Sequence, residues 1–514
     1  MDGKSQMSQG PTALRSSQSS SPSEFAAITA ITLFALALRV WKLQTPSLWY
    51  DEGATLWFSV GGSEKWILDT HPPLYYAMVH FWLRFGNSET WLRILSVIPA
   101  VATIPVVFSL GRKMFGTMPG LLSATFLTLL SFHIDHSQQA RMYTFLVFFY
   151  SCTLWALIRA VRDGQRWHWG TYLLAASLMS YTQGIGILYV ATIAVLFPVI
   201  SSNPYKVSEW IPFVLANLMV FGLFIPWLIV LSHAHFRTGF LNWVPGPTWI
   251  SVPGTLFAFI CRYIPFTSIP YSGHRFLLAV AVAAAMVPAL ALFWIGLRRA
   301  FSLPAKWAAV TAASTFVLPI VLVFLLSVLV TPMYIDRVLL PAAVGFVLIL
   351  GASVAKTKLW TSPPYRWIAI VLAISCLNVY YYFQYRDRED FRSLSTHLQR
   401  SVKPGQSILY VADSGLPQFL IEYYDPEMKL AKARKFDIRS ILRSCQKNLE
   451  ECLDAQTAEF KNSEILWIVY AHDTSLPDRQ ALQHWLDTRF LTISTQSYTL
   501  PDRLRLSETK PSRF

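Results

Sequence analysis

The feature that most constrains this chain is the repetition of apolar stretches. Between Phe25 and Phe383, one segment after another of about 20 residues carries almost no charge, and helices of that length match a hydrocarbon core about 30 Å thick. Composition agrees, because 54% of residues are hydrophobic and only 14% are charged, against roughly 25% charged in a soluble domain. A soluble globule with this ratio lacks the polar groups to cover its own surface. Disordered, collagen-like and disulfide-scaffold classes drop out as well.

The reading is therefore an α-helical polytopic membrane protein. About eleven transmembrane helices are expected, near 25–43, 91–111, 118–134, 141–161, 168–182, 184–202, 210–231, 275–297, 307–330, 335–354 and 366–383. Residues 1–23, rich in Ser and Gln, read as a disordered cytoplasmic tail. No small-residue cleavage site follows the first apolar run, so it is read as a retained anchor. Pro72–Phe85 is shorter and places His80 and Arg84 on one helical face. It suits an amphipathic helix lying in the interface, outside the count of spans.

Charge sets the expected orientation. Before Arg386 lie 24 of the 43 Lys+Arg and 11 of the 29 Asp+Glu, so almost all of the net +14 belongs to the apolar part. That argues against a nucleic-acid partner and for basic loops at a membrane edge. With the N-terminus cytoplasmic, Arg112, Lys113, Arg159, Arg162 and Arg298 gather in short inside loops of a plasma (cell inner) membrane protein. Residues 24–385 then form the membrane domain, with a first external loop at 44–90, and residues 386–514 an extracytoplasmic domain. Strand-like runs at 407–411 and 465–470 alternate there with helix-like stretches at 391–400, 438–453 and 479–488, which suggests a small α/β domain.

Cys152, Cys261 and Cys376 accompany apolar segments and read as small packing residues. An external position permits a bridge between Cys445 and Cys452, whereas a continuous helix through them separates the pair by about 10 Å, too far to bond.

Ionisable groups near a bilayer are costly, so their placement is informative. Seven acids of the membrane domain, among them Asp51, Glu52, Asp69, Asp135 and Asp336, fall on the external side together with His71, His133, His136, His233 and His235. The sharpest element is SLWYDEGATLWFS at Ser47–Ser59, where Asp51 and Glu52 directly follow the first apolar run. Two carboxylates in a partly dehydrated site can supply a general base. They can equally cap and start a helix.

Asp51-Glu52, DTHPPLYY at Asp69–Tyr76 and FGNSETWLRILSVIPA at Phe85–Ala100 resemble the first external loop of the GT-C glycosyltransferases of family 39, the group of the protein mannosyltransferases and the lipid A aminoarabinose transferase. SQQARMYTF at Ser137–Phe145, SYTQGIG at Ser180–Gly186, NWVPGPTW at Asn242–Trp249 and TPMYIDRVLLPA at Thr331–Ala342 continue the resemblance over most of 25–385.

That resemblance implies a GT-C-like fold and transfer of a hexose or pentose from a polyprenyl-phosphate donor to a protein, lipid or polysaccharide acceptor on the outer face. By the same resemblance Asp51 matches the base of an inverting displacement and Glu52 orients acceptor or base. His71 lines the cavity, or is simply a hydrogen-bonded interfacial histidine. Arg141, with Tyr143 beside it, and Arg337 are the candidates to receive the departing phosphate, ahead of Arg93 and Arg237. Snorkelling to lipid headgroups is the plain alternative for each arginine.

Gln139 and Gln183 stand where the family often carries Glu and His. His133, Asp135, His136, His233 and His235 still offer ligand types suited to zinc or manganese, so a divalent metal ion stays open as a cofactor. The rivals from other classes are a flippase for lipid-linked sugars and an inactive scaffold.

Overall fold

A computed structural model describes residues 21–66, 69, 71–201, 203, 205–238, 244–263, 275–356, 362–385, 388–444, 453, 465–472, 479–498 and 504–511; the side chains of 233–238, 275–279, 281, 443, 444 and 511 are outside that description. The membrane part consists of α1 (Pro22–Val40), α2 (Tyr50–Val60), α3 (Ser63–Trp66), α4 (Leu74–Trp82), α5 (Glu89–Phe115), α6 (Thr117–Leu129), α7 (Ser131–Ser137), α8 (Tyr143–Arg162) and α9 (Trp167–Thr182). It continues through α10 (Gly186–Ala194), α11 (Phe197–Ile200), α12 (Val207–Thr238), α13 (Ser251–Cys261), α14 (Arg275–Ser302), α15 (Lys306–Leu329), α16 (Ala342–Ala352) and α17 (Tyr365–Gln384).

All eleven expected segments fall on helices. Among the described residues seven of these, α1, α5, α8, α12, α14, α15 and α17, have a stretch long and apolar enough to cross a membrane, and α6 with α7, bent by 59°, adds an eighth. The others are shorter: the apolar region 184–202 is divided into α10 and α11, and α16 spans only 11 residues. The interfacial segment folds as α4, whose Tyr75, Tyr76 and Val79 are buried. Helix α13 has no counterpart in the sequence reading.

Helix α16 holds the bundle together, and every one of its residues is buried. Close approach explains its glycines. A Cβ on Gly345 would lie 2.3 Å from the Phe316 backbone nitrogen, and one on Gly351 would lie 2.4 Å from the Pro119 carbonyl oxygen. Gly296 of α14 meets the Ile349 carbonyl in the same way. Without a hydrophobic drive between helices in lipid, such backbone-to-backbone contact supplies the packing.

The bundle has two chemically different ends. Glu24 pairs with Arg112 at 3.1 Å, and Asp163 pairs with Lys113 and, at 2.8 Å, with Arg159. The first loop, the start of α5, the α7–α8 turn and the end of α17 meet at the other end.

There the C-terminal domain is seated: α18 (Phe391–Ser401), β1 (Ser407–Ala412), α19 (Leu416–Tyr423), β2 (Arg434–Asp437), α20 (Ile438–Ser444), β3 (Leu466–Ala471), α21 (Arg479–Arg489), β4 (Phe490–Ser497) and β5 (Leu504–Pro511). The sheet order is β2-β1-β3-β5-β4, with β1 parallel to both β2 and β3, and β5 antiparallel to β3 and β4. β1 and β3 are buried throughout, as central strands covered on both faces are. The two expected strands are β1 and β3; β2, β4, β5 and α19 are additional. Cys445 and Cys452 lie outside the described residues, while Cys152, Cys261 and Cys376 are free thiols.

Candidate active site

The site is built on the first turn of α2. The chain leaves α1, and the carbonyls of Leu43, Pro46 and Ser47 each accept a hydrogen bond from the Arg93 guanidinium at 2.8 Å. The same guanidinium donates Nε to Glu52 Oε1 at 2.8 Å and Nη2 to Oε2 at 2.7 Å, with both side chains 0% exposed. All five N–H groups of Arg93 are thereby used. Glu52 Oε1 also accepts the backbone N–H of Ala140 at 2.8 Å, which draws in the α7–α8 turn. Burial pushes the Glu52 pKa up, but Arg93, helped by Arg388 and the Ala140 N–H, keeps the carboxyl below its ordinary value.

This geometry corrects two sequence expectations. Arg93 has no donor left for a substrate phosphate, and Glu52 is a buried tie between helices with no open face toward an acceptor, which leaves only the other expected role, holding the helix turn that carries Asp51.

Asp51 faces the other way. One residue along a helix turns the side chain by about 100°, and Asp51 Oδ2 accepts from Arg337 Nη1 at 2.8 Å while the side chain stays 21% exposed. Arg141 Nη1 donates to the Asp51 carbonyl at 3.1 Å and to Thr55 Oγ1 at 3.2 Å. The guanidinium carbons of Arg141 and Arg337 lie 5.9 and 5.8 Å from the centre of the Tyr143 ring, so both cations are within attractive range of one aromatic ring. Burial raises the Asp51 pKa, yet the charges of Arg337, Arg141, His71 and His472 together hold it below 3.8. The carboxyl is ionised at neutral pH.

His71 Nδ1 lies 2.9 Å from Asp69 Oδ2, and the Tyr76 hydroxyl donates to the same oxygen. Asp69 is held well below the carboxylate range because His71 and Tyr76 outweigh its burial. His71 is thus anchored from the loop that precedes α4.

The structure brings Asp51, Arg141, Tyr143 and Arg337 together, with His71 to one side. It does not bring the metal candidates together. His133 Nδ1 accepts from Arg39 Nη2 at 2.8 Å, deep between α1 and α7. Asp135 takes Arg388 and Tyr263, each at 2.5 Å, and Gln139 at 3.0 Å. His136 lies edge-on against Phe132 and Tyr143. Among the described residues no three His, Cys, Asp or Glu side chains converge on a metal position, so the grouping expected at 133–136 is corrected. The side chains of His233, His235 and Arg237 lie outside the described residues.

Sequence reasoning missed what the C-terminal domain contributes. Glu389 Oε2 accepts the Tyr50 backbone N–H at 2.8 Å, and its other carboxylate oxygen lies 2.8 Å from His472 Nε2. The Tyr50 ring packs against the His472 ring at 4.0 Å between centres and a tilt of 37°, and its hydroxyl donates to Asp413 Oδ1 at 2.5 Å beside Ser414. The available signals were the charged RDRED run directly after the last span and a lone histidine ending the apolar run LWIVYAH.

Residues 70–230 match the family model described as dolichyl-phosphate-mannose-protein mannosyltransferase. No curated protein sequence gives a significant match. Among solved structures, the oligosaccharyltransferase of Archaeoglobus fulgidus in its apo form aligns at a TM-score of 0.51 and 11% identity, covering 96% of this chain and 74% of that chain. ArnT from Cupriavidus metallidurans in the apo state aligns at 0.43 and 14% identity, over 95% and 98%. The S. cerevisiae protein O-mannosyltransferase Pmt1-Pmt2 complex bound to the sugar donor gives 0.35 and 14%, over 43% and 34%. The chain is a polytopic membrane protein that shares its fold with the Archaeoglobus fulgidus oligosaccharyltransferase, and its segment 70–230 matches the dolichyl-phosphate-mannose-protein mannosyltransferase family model.

Proposed function

We propose that this protein transfers a sugar from a polyprenyl-phosphate donor to an acceptor hydroxyl, by a single inverting displacement with Asp51 as base. The observation that carries the reading is the Asp51–Arg337 pair, an ionised carboxylate with an open face held against an arginine that a phosphate can also engage. The family match at 70–230 supports the reaction class.

In the displacement, the acceptor oxygen bonds to the anomeric carbon as the bond from that carbon to the phosphate oxygen breaks. The acceptor proton passes to Asp51, and the electron pair leaves with the polyprenyl phosphate. Arg337 links the two events. While paired with Asp51 it makes the carboxylate a weak base; when the phosphate departs, its charge is drawn toward the leaving group and the carboxylate becomes more basic as the proton arrives. Arg141 fixes the backbone of Asp51, and the Tyr143 face steadies both guanidinium groups. His71, tied to Asp69, closes the acceptor side.

The acceptor is a protein, lipid or polysaccharide hydroxyl. In this reading the site faces the extracytoplasmic side, with the Glu24–Arg112 end of the bundle at the cytoplasm, in keeping with its basic residues.

The test is the full chain in nanodiscs with radiolabelled dolichyl-phosphate mannose, following release of dolichyl phosphate. Asp51→Asn is expected to lower release by at least about 100-fold with donor binding and thermal stability retained. Retained release in that variant excludes Asp51 as the base.

A further inference from the structure

We propose that the C-terminal domain is a working part of the site: Glu389 and His472 are positioning residues for Asp51, Glu389 by capping the helix that presents it and His472 by seating the neighbouring Tyr50 ring. For its catalytic meaning this rests on the transferase reading above.

The first turn of a helix leaves backbone N–H groups without partners. In α2 the N–H of Tyr50 is taken by Glu389, a residue from 339 positions further along the chain whose side chain is 4% exposed. An acidic group at that point also favours the helix dipole. The same short segment is stapled to the loop twice more. Ser47 Oγ donates to the Glu389 carbonyl at 2.8 Å and accepts from the Phe391 N–H at 3.1 Å. The segment entering α18 therefore sets where α2 begins.

His472 follows β3, and Asp413 and Ser414 follow β1. These are the carboxyl ends of two adjacent parallel strands. The chain runs from β1 outward to β2 and then back across to β3, so a crevice opens between the ends of β1 and β3, the place where open α/β sheets hold their ligands. Here it holds the Tyr50 side chain, gripped through ring and hydroxyl. His472 occupies it with φ of +51°, a conformation costly for a side chain of this kind and kept by its surroundings.

The groups facing His472 are Glu389, Asp413, Tyr50 and Asp51, and the charged groups facing Asp51 are Arg337, Arg141, His71 and His472. Burial disfavours the charged imidazole, but Glu389, with Asp413 and Asp51, together outweigh it and raise the His472 pKa above 6.5. When protonated, His472 adds a positive charge on the Asp51 side of the site, so the C-terminal domain acts on Asp51 electrostatically as well as through the cap.

The experiment has an arm that needs no substrate. Full-length protein in nanodiscs is treated with a water-soluble carbodiimide and glycinamide across the acid range, and modification of Asp51 is read by peptide mass. His472→Gln is expected to move the midpoint of labelling to higher pH, because one of the charges that hold the carboxylate ionised is gone. An unchanged midpoint overturns the role given to His472, as a merely structural histidine leaves it in place.

In the transfer assay with dolichyl-phosphate mannose, Glu389→Ala is expected to lower kcat about tenfold or more with donor KM nearly unchanged, and Glu389→Gln, which keeps an acceptor for the Tyr50 N–H, to recover part of it. Wild-type kcat in Glu389→Ala overturns the capping role. If Glu389→Ala fails to fold, Glu389→Gln and His472→Gln carry the same readouts. Release that survives Asp51→Asn counts against the transferase reading alone, since the labelling midpoint decides the positioning role separately.

Discussion

Arg93 and Glu52 form a two-pronged ion pair with no solvent exposure, and every remaining N–H of Arg93 binds a carbonyl of the loop between α1 and α2. One buried interaction therefore ties α1, α2, α5 and the α7–α8 turn to each other. Its strength lies in its completeness, because either charge alone in this setting has no water to turn to.

Removing one partner is expected to be severe. Arg93→Met or Glu52→Gln alone should cost about 3–5 kcal/mol, read as a lower Tm in detergent, and the double replacement Arg93→Met with Glu52→Leu should recover much of it. Glu52→Gln that kept wild-type Tm but lost transfer would return Glu52 to the chemistry.

Arg337→Met should lower transfer about 100-fold or more and also change its pH dependence. The folded Asp51 pKa is depressed, so the ionised state persists above the unfolded value of about 3.9 and is lost only as pH falls further. Wild-type transfer should show no acid limb at ordinary pH. Without Arg337 the burial that raises the Asp51 pKa has lost the strongest charge opposing it, and the acid limb of the pH–kcat profile should move upward. An unmoved limb shows that Arg337 does not set the ionisation of Asp51.

The Glu389–His472 pair should make stability fall on the alkaline side. A histidine whose folded pKa is raised contributes stability that is complete below about pH 6.5 and is lost as pH climbs through the folded value. Thermal unfolding followed from mildly acid to alkaline pH should show Tm declining in the wild type and a flatter course in His472→Gln.

Gly345→Ala should destabilise the bundle by about 1–3 kcal/mol, because the added methyl meets the backbone of α15 at Phe316 and Thr315, which cannot swing aside. Gly222→Ala is the control: nothing lies within 4 Å of its Cβ position, and alanine is the better helix former. Equal Tm in both variants excludes close packing of α16 as a determinant of stability.

The helical segments were legible because hydropathy is a local property: a run of apolar residues has to become a span or a core helix wherever it lies. Even so, the number of full spans was not. Run length cannot distinguish α16, enclosed on all sides by other helices, from a helix facing lipid, nor foresee the 59° bend between α6 and α7. In the C-terminal domain the buried central strands β1 and β3 announced themselves as continuous apolar runs. β4 is largely exposed and alternates less clearly.

Sequence by itself determined that this is a helical membrane protein, that Asp51 and Glu52 directly follow its first apolar run, and that arginines accompany them. Which carboxylate meets which arginine was decided in three dimensions. Adjacent residues on a helix point about 100° apart, so packing sent Glu52 inward to Arg93 and left Asp51 open beside Arg337. Glu389 and His472 reach the same place from more than 300 residues away, and no local pattern encodes a partner at that distance.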